Sequence, residues 1–423
     1  MGPIGPIRFI APMSPMPPPT LCAKCGACTA VCPVYQATGR ETLTARGRLH
    51  LLAHQTGRGP DPELTEIFSK CLLCGACRKA CPRGIDIPAL IMEARAGMPQ
   101  VTGLPSFKKF LLRQALARPT LLNALAKAAG PLGLRPDLPA ESGLALTLSG
   151  AAGGFTPQEL QFTPPPLTAV PPPTRTALYF SGCLARYLAP AIGQAAELLL
   201  ARLCDHRLLI PDPQPCCGLA AKAAGDPGQA QGLARRTIAL FASAEFRELP
   251  IFTTCASCYS GLKGYPALLA DDREWRERAE AFSARVWEFS TFILHHGTAW
   301  ASACRQDLSP QTVVYHDPCH LRLAGITAPP RELIRQAPGL TLRELPHSPQ
   351  CCGQGGLFHL AHADLSQLIR QRLLDDFLTT HAAQVTTTCS GCLLQWQQGL
   401  HAAGATPRAT HLALLLAGQL QSL

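Results

Sequence analysis

The stretches CAKCGACTAVCP, residues 22–33, and KCLLCGACRKACP, residues 70–82, decide how the first part of this 423-residue chain folds. Each stretch places three cysteines three positions apart and a fourth cysteine directly before a proline. The first set is Cys22, Cys25, Cys28 and Cys32, and the second set is Cys71, Cys74, Cys77 and Cys81. Every cysteine of the first set recurs 49 positions later, so the pattern predicts two copies of one metal-binding loop.

This spacing is typical of a protein segment that holds two [4Fe-4S] clusters. Three thiolates on one loop hold three corners of a cluster, and the cysteine before the proline reaches the other cluster. The rule predicts one cluster on Cys22, Cys25, Cys28 and Cys81, and a second on Cys71, Cys74, Cys77 and Cys32. Pro33 and Pro82 should each open a helix, where a missing N–H costs nothing. CxxC pairs also bind structural zinc, but such sites need neither a third cysteine at the same step nor a Cys-Pro pair.

Composition narrows the class of protein. The length favours two to four domains. The N-terminal sequence MGPIGPIRFIAPMSPMPPPT lacks the apolar stretch of a signal peptide, which favours a reducing compartment and metal-bound cysteines over disulfides. We find no run of about 18 apolar residues. We therefore expect a cytoplasmic chain, peripheral at the cytoplasmic face of the inner membrane if it meets a membrane at all.

The net charge of +10 is unevenly distributed. Residues 1–174 contain 17 Lys and Arg against 9 Asp and Glu, so most of the excess lies around the cysteine loops. A [4Fe-4S] cluster with four thiolates is an anion, and two clusters would offset about half of this charge. No basic stripe is interleaved with aromatic residues, which argues against nucleic acid as a partner.

A second duplicated cysteine pattern occupies the rest of the chain. Its members are Cys183, Cys216, Cys217, Cys255 and Cys258 in the first copy, and Cys319, Cys351, Cys352, Cys389 and Cys392 in the second. The offsets between the copies are 136, 135 and 134 residues, which implies two copies of one domain. A glycine follows each adjacent cysteine pair, at Gly218 and Gly353, where it allows a positive φ or a close approach of the backbone to a metal.

The sequence around these cysteines predicts parallel sheets. In each copy a short apolar strand precedes the single cysteine, a second precedes the CCG triplet and a third precedes the CxxC pair, with helices between them. Repeated strand and helix units of this kind build a parallel sheet covered by helices. Because ligands collect at the carboxyl ends of such strands, five cysteines of each copy should converge at one edge.

These motifs resemble a known family. The second pattern is similar to the cysteine-rich CCG domains of heterodisulfide reductase subunits, and its combination with a double ferredoxin motif resembles the iron-sulfur subunit of glycolate oxidase and of D-lactate dehydrogenase complexes. Supporting stretches are CPVYQATGRETLTARGRLHLL, residues 32–52, CPRGIDIPALIMEAR, residues 81–95, and YHDPCHLR, residues 315–322.

The resemblance implies a subunit that takes electrons from an FAD-binding subunit oxidising a 2-hydroxy acid, glycolate or D-lactate, and passes them toward a membrane quinone. It implies that each five-cysteine group could hold a non-cubane iron-sulfur cluster or zinc. The alternatives are a heterodisulfide reductase-like thiol-disulfide reductase, the iron-sulfur subunit of anaerobic glycerol-3-phosphate dehydrogenase, and a zinc-dependent structural or nucleic-acid-binding protein, which the ferredoxin spacing disfavours.

We therefore predict an α+β chain with five parts. They are a flexible N-terminus at 1–20, a mainly helical two-cluster ferredoxin domain at 21–98, a helical segment and proline-rich linker at 99–174, and two α/β cysteine-rich domains at 175–300 and 301–423.

Several residues outside the cysteine motifs leave alternatives open. Cys204 and Cys304 match neither repeat and should pack as small hydrophobic side chains. His316, Asp317 and His320 flank Cys319 and could relay protons or orient a thiolate, or they could cap a helix near the surface. Residues 46–48, Arg-Gly-Arg, could contact the flavin subunit or a cluster edge, or form a solvated helix start. No nucleotide-binding glycine motif is present.

Overall fold

The structure is a computed structural model that describes residues 22–54, 62–98, 172–297 and 300–421. The predicted flexible N-terminus, residues 1–20, lies outside the described residues. So does the predicted helical segment and linker at 99–174, apart from its last three positions. The described residues form a helical N-terminal part and two parallel sheets, which confirms the predicted mixed fold class.

Short helices make up the described N-terminal part. They are Ala27–Ala30, Pro33–Thr38, Ala45–His54, Pro62–Ser69, Ala76–Ala80 and Ile87–Ala96, with a 3-10 turn at Glu41–Leu43. Pro33 opens its helix directly after Cys32, as predicted. The prediction for Pro82 is wrong, because the chain turns after Cys81 and the next helix starts at Ile87. There the Asp86 carboxylate accepts a hydrogen bond from the Ala89 N–H at 3.2 Å and caps the helix.

Two four-stranded sheets follow, and all their strands run parallel. The first contains β1 (Arg175–Tyr179), β2 (His206–Leu209), β3 (Ile251–Thr253) and β4 (Val286–Glu288), in the order β2-β1-β3-β4. The second contains β5 (Gln311–Tyr315), β6 (Leu340–Arg343), β7 (Gln384–Thr387) and β8 (Arg408–His411), in the order β6-β5-β7-β8. The identical order confirms the duplication. The fourth strand of each sheet was not predicted, since no cysteine marks its end.

Helices connect and cover the strands. In the first copy they are Cys183–Leu188, Ala191–Cys204, Leu219–Ala223, Pro227–Leu240, Ala256–Lys263, Tyr265–Leu268, Arg273–Ala284 and Phe289–His296. In the second they are Trp300–Ala303, Cys319–Leu323, Ala328–Gln336, Phe358–Ala361, Ala363–Leu378, Ser390–Ala402 and Leu412–Ala417. The carboxyl-terminal halves of β1 and β5 are fully buried, as expected for parallel strands covered on both faces.

The two sheets share one hydrophobic core and meet at their carboxyl edges. The Ala256 N–H donates a hydrogen bond to the Thr388 carbonyl at 2.8 Å, which joins the loop after β3 to the loop after β7. Buried His411, at the end of β8, is hydrogen-bonded through Nε2 to the Thr254 carbonyl at 3.0 Å. These loops carry the CxxC cysteines, so the two cysteine-rich copies face each other.

The helical N-terminal part packs against both copies. Its core includes Phe358 and Ile369 from the second copy. Ser69 Oγ and His362 Nε2 share a hydrogen bond of 2.9 Å, and Arg95 donates to the Ala223 carbonyl at 2.7 Å. The cysteine loops are therefore held against the carboxyl edges of the sheets. Within the described ranges, we find no helix whose length and apolar character would let it cross a membrane.

Candidate metal centres

Four cysteines from both N-terminal motifs surround one cavity. Its lining includes Cys22, Cys25 and Cys28 of the first motif and Cys81 of the second. Cys25 is solvent-exposed, so this cavity lies near the surface. Arg46 forms part of the wall, where it donates to the Glu41 carboxylate at 2.8 Å and to the Lys24 carbonyl at 3.2 Å.

A second cavity has the complementary set. Its lining includes Cys71, Cys74 and Cys77 of the second motif and Cys32 of the first. This cavity is more deeply buried, and burial raises the pKa of the Cys32 thiol to about 11. The structure therefore brings together the crossed sets of cysteines that the sequence predicted.

Both loops have the same backbone conformation. The residue before each second cysteine has a positive φ, at Lys24 and Leu73, and so does the glycine after it, at Gly26 and Gly75. A side chain at Gly75 would collide with Leu323 at 2.5 Å. The repeated left-handed positions turn three cysteines of each loop toward one point, which is the geometry a cubane cluster requires.

Two buried arginines hold the second loop in place. Arg48 is 2% exposed and donates to the carbonyls of Ile67 at 3.0 Å and Lys70 at 2.8 Å. The predicted alternative of a solvated helix start is therefore wrong for Arg48. Arg95 donates hydrogen bonds to the carbonyl of Cys71 at 2.6 Å and to the carbonyl of Ala223 in the first cysteine-rich copy. Sequence reasoning missed Arg95, because its role depends on contacts distant in the chain.

The first cysteine-rich copy gathers its five cysteines beyond the ends of β1, β2 and β3. The Cys183 thiol is hydrogen-bonded to Cys216, Cys217 to Cys258, and Cys258 to Cys255. Gly182 allows this close packing, since a Cβ there would lie 2.7 Å from Cys258 Sγ. The predicted convergence of these five residues at one sheet edge is thus observed.

The second copy repeats the arrangement and adds a histidine. Cys319 is hydrogen-bonded to Cys351, Cys352 Sγ lies 3.4 Å from Cys392 Sγ, and Cys389 contacts Cys392. The ligand atoms of His316, Cys352 and Cys392 all lie within 4.8 Å of one another, and all three residues are buried. The equivalent position in the first copy is Phe180, 136 residues earlier.

The cysteine groups contact one another. The Cys74 thiol of the second N-terminal cavity is hydrogen-bonded to Cys351 of the second copy. The Cys255 thiol of the first copy is hydrogen-bonded to Cys389 of the second, and Ser257 Oγ lies 3.3 Å from Cys389 Sγ. The described residues therefore contain an unbroken series of cysteine groups, from the second N-terminal loop to the first sheet.

The chemistry of these donors fits iron-sulfur clusters, and in the cysteine-rich copies also zinc. The ten cysteines of the two copies are half-buried or buried. Hydrogen bonds with neighbouring thiols lower the pKa of Cys216, Cys255 and Cys352, whereas such bonds together with burial raise the pKa of Cys183 and Cys392. The neighbouring Cys255 thiol, with burial, raises the pKa of Cys389 to about 12. A metal that bound these cysteines would displace the protons of their thiols, because the thiolate is the ligand. Soft sulfur donors favour zinc and iron-sulfur clusters over hard cations.

The two glycines that follow the adjacent cysteine pairs have the predicted positive φ, 83° at Gly218 and 85° at Gly353. A Cβ at Gly353 would approach the Ser366 carbonyl at 2.9 Å. The close neighbour of this glycine is therefore helix backbone.

Two of the three polar residues around Cys319 are buried, and His320 is half-buried. His316 is 2% exposed and Asp317 7% exposed, and no side chain caps the helix that begins at Cys319, so the predicted surface-capping role is wrong. Asp317 accepts hydrogen bonds from Arg331 at 2.6 and 2.8 Å. His320 Nδ1 lies 3.1 Å from Ser257 Oγ and 4.0 Å from Cys319 Sγ, between the two copies.

The two cysteines outside the motifs behave as predicted. Cys204 is 3% exposed in the hydrophobic core, and burial raises its pKa to about 12. Cys304 is fully buried, and its thiol donates to the Trp300 carbonyl at 3.4 Å.

Comparison with known proteins agrees with this geometry. A family described as 4Fe-4S dicluster domain matches residues 20–85, and a family described as cysteine-rich domain matches residues 177–263 and 313–397. The probable glycolate oxidase iron-sulfur subunit of Bacillus subtilis (strain 168) is 31% identical over 419 residues, which cover 92% of this chain and 91% of that protein. The chain belongs to the family of glycolate oxidase iron-sulfur subunits.

Shorter relatives match part of the chain. Lactate utilization protein A of Exiguobacterium sp. (strain ATCC BAA-1283 / AT1b) is 32% identical over 239 residues, which cover 56% of this chain and 95% of that protein. Lactate utilization protein A 1 of Bacillus cereus (strain AH820) is 30% identical over 242 residues, which cover 56% of this chain and 96% of that protein.

Proposed function

We propose that this chain is the electron-transfer subunit of a 2-hydroxy-acid oxidase complex. The observation that carries the proposal is the unbroken series of cysteine groups. Cys74 joins the second N-terminal cavity to the second cysteine-rich copy, and Cys255 joins that copy to the first. Iron-sulfur clusters, when bound, accept and release single electrons. Because successive groups touch, electrons could pass along the series without leaving the protein.

The proposed ligand sets follow the two cavities and the two sheet edges. One [4Fe-4S] site is Cys22, Cys25, Cys28 and Cys81, and the other is Cys71, Cys74, Cys77 and Cys32, supported by the lining of the two cavities. The five cysteines of each copy would hold a further iron-sulfur cluster or zinc. Arg48 and Arg95 place positive charge beside the second site. This charge would stabilise the reduced state of a cluster, which is the more negatively charged state, and so raise its reduction potential.

Electrons would enter at the first cavity. Cys25 is exposed there, so a partner can approach this site more closely than any of the buried groups. The partner we propose is an FAD-binding subunit that oxidises glycolate or lactate to the 2-oxo acid and releases two electrons and two protons. The hydroxy-acid site would lie on that partner, and the final acceptor would be a quinone at the cytoplasmic face of the inner membrane.

Metal analysis of the full chain tests this proposal. After purification without air, we expect about eight iron atoms and eight sulfides in the N-terminal part, and more if the cysteine-rich copies are filled. Adding the flavin subunit and its hydroxy acid should reduce these clusters, which electron paramagnetic resonance detects. Zinc in place of iron after anaerobic reconstitution, or clusters that the flavin subunit does not reduce, would contradict the proposal.

A thiol-disulfide reductase is the second candidate, because the two five-cysteine groups meet at Cys255 and Cys389. Such an enzyme would cleave a substrate disulfide to two thiols with two electrons and two protons. Disulfide turnover by this chain alone, driven by an artificial electron donor and abolished by Cys255→Ser, would favour it. Absence of turnover in the iron-loaded chain would leave electron transfer as the function.

A further inference from the structure

A cleft of about 540 Å³ lies between the N-terminal part and the second cysteine-rich copy. Its lining includes both Cys74 and Cys351, which join two of the proposed redox sites. The volume is in the range of a site for a small organic molecule. A molecule bound in this cleft would therefore sit directly beside the electron path.

One wall of the cleft contains a buried cation without a counter-ion in the part of the chain that the structure describes. Arg322 is 7% exposed, and its Nε has no hydrogen-bond partner among the described residues. The equivalent arginine of the first copy, Arg186, is paired with Asp212 at 2.6 Å. The first copy has the sequence Asp-Pro-Gln from Asp212, and the second copy has Ser-Pro-Gln from Ser348. Ser348 therefore stands where the aspartate would be, and it lines the cleft. The second copy therefore has the guanidinium of Arg322 without the carboxylate. Its N–H groups remain as hydrogen-bond donors for an oxygen atom of a ligand.

The cleft also offers a route for protons. His347 is largely exposed, and its Nδ1 lies 2.9 Å from the Asp376 carboxylate. Asp376 also accepts a hydrogen bond from Gln350. The other charged residues of the lining are Arg372 and Asp375, both exposed, and Asp375 accepts from Gln371 at 2.8 Å.

Exposed apolar side chains lie at and near the cleft, among the polar ones. Val31, which lines it, is 37% exposed, and Leu368, next to the lining residue Ile369, is 53% exposed. Leu378, at the end of the same helix, is 38% exposed. These are three of the four large hydrophobic side chains that are exposed among the described residues, and two of them belong to the helix Ala363–Leu378, which forms part of the cleft wall. An amphipathic ligand could place an apolar tail against these side chains.

We propose that the cleft binds the headgroup of a quinone and is where electrons leave the chain, an inference that rests on the proposed function above. A quinone carbonyl oxygen would accept hydrogen bonds from Arg322, and the apolar tail would leave past Val31 and Leu368. The quinone takes up two electrons, delivered singly from the sites at Cys74 and Cys351, and two protons, supplied by solvent through His347, and becomes a quinol. Arg322 would stabilise the negative charge that develops on the oxygen.

Binding of a quinone analogue tests the site without relying on turnover. The iron-loaded, oxidised full chain is titrated with a fluorescent hydroxyquinoline N-oxide, whose quenching reports the Kd. We expect Arg322→Gln to raise the Kd at least tenfold. Ser348→Asp should raise it as much, because the new carboxylate would pair with Arg322 as Asp212 pairs with Arg186. This second variant adds a residue that the first copy already accommodates, so it tests the proposal even if Arg322→Gln does not fold.

The first copy provides matched controls. Arg186→Gln and Asp212→Ser change the equivalent pair and should leave the Kd within twofold of the unchanged protein. Equal weakening by the two sets of variants, or unchanged binding in Arg322→Gln and Ser348→Asp, would overturn the proposal. If these two variants shift only the reduction potentials, Arg322 serves as a counter-charge to the clusters and the cleft is not the site.

Turnover separates this inference from the proposed function. Wild-type chain reduced by its flavin subunit should be reoxidised by a short-chain ubiquinone, and Ser348→Asp should slow this step about tenfold while oxidation by ferricyanide stays within twofold. Clusters that the flavin subunit reduces but that ubiquinone does not reoxidise would overturn the quinone site alone. Clusters that the flavin subunit cannot reduce would overturn the proposed function.

Discussion

Phe180 and His316 occupy equivalent positions of the two copies, and this single difference makes the two cysteine groups chemically unequal. His316 adds an imidazole nitrogen to the buried thiols of Cys352 and Cys392, whereas Phe180 leaves its group with sulfur alone. Both copies have five cysteines, and if the His316 imidazole took the place of one thiolate as a ligand, the cluster would be less negative and its reduction potential higher. The second copy would then be the better electron acceptor of the two, next to the proposed exit.

We predict that His316→Phe removes a nitrogen ligand from the second copy only. Pulsed electron paramagnetic resonance of the reduced chain should lose the strong nitrogen coupling of this centre, and the metal bound beyond the eight N-terminal irons should fall. The signals of the two N-terminal clusters are the internal control, because His316 lines neither of their cavities. An unchanged nitrogen coupling would show that His316 is not a ligand.

At the scale of elements, the two N-terminal loops exchange their fourth cysteines. Each loop supplies three residues to one cavity, and the cysteine before the proline supplies the fourth residue of the other. The sequence spacing predicted this crossing through a rule for two-cluster loops. The helix expected after Pro82 did not form there, because Asp86 and Pro88 supply stronger start signals a few residues later.

Double variants test the crossing. Cys22→Ala with Cys81→Ala removes two residues of one cavity, so we expect about four irons and one intact [4Fe-4S] signal. Cys22→Ala with Cys32→Ala removes one residue from each cavity and should damage both clusters. Iron analysis and spin quantitation measure the difference. If the fourth cysteine served its own loop, the two double variants would show the opposite results.

At the scale of the whole molecule, the N-terminal part and the second copy are joined through a half-buried histidine, His362. Burial, together with the positive charge of Lys70, lowers the pKa of His362 from its ordinary value of 6.5 to about 4. The neutral ring shares a hydrogen bond with Ser69 Oγ. The unfolded chain binds a proton on this residue more readily than the folded chain, so the contact contributes fully above pH 6.5 and is lost as the pH falls toward 4.

We predict that His362→Gln flattens the pH dependence of stability. Between pH 7 and pH 5, the free energy of unfolding of the wild type should fall by about 1 kcal/mol, a value discounted for the partial exposure of His362. The free energy of unfolding of the His362→Gln variant should not fall in this way. The measurement is the thermal midpoint of the full chain at both pH values. Exposed His401→Gln is the matched control and should follow the wild type. Equal loss of stability in His362→Gln and wild type would show that another group titrates at the interface.

By itself, the sequence determined the number of cysteine groups, their members and the class of fold around them. It could do so because cysteine spacing along a short loop and the alternation of strand and helix are local features. Arg95 and the buried state of His316 could not be read locally, since they depend on partners far away in the chain.

Only the tertiary structure decided how the groups are connected. The contact of Cys74 with Cys351, that of Cys255 with Cys389 and the cleft beside Arg322 all arise where separate elements pack together. The physical reason is that packing of the two sheets and the helical part into shared cores sets distances between residues that lie up to hundreds of positions apart. Local spacing carries no information about those distances.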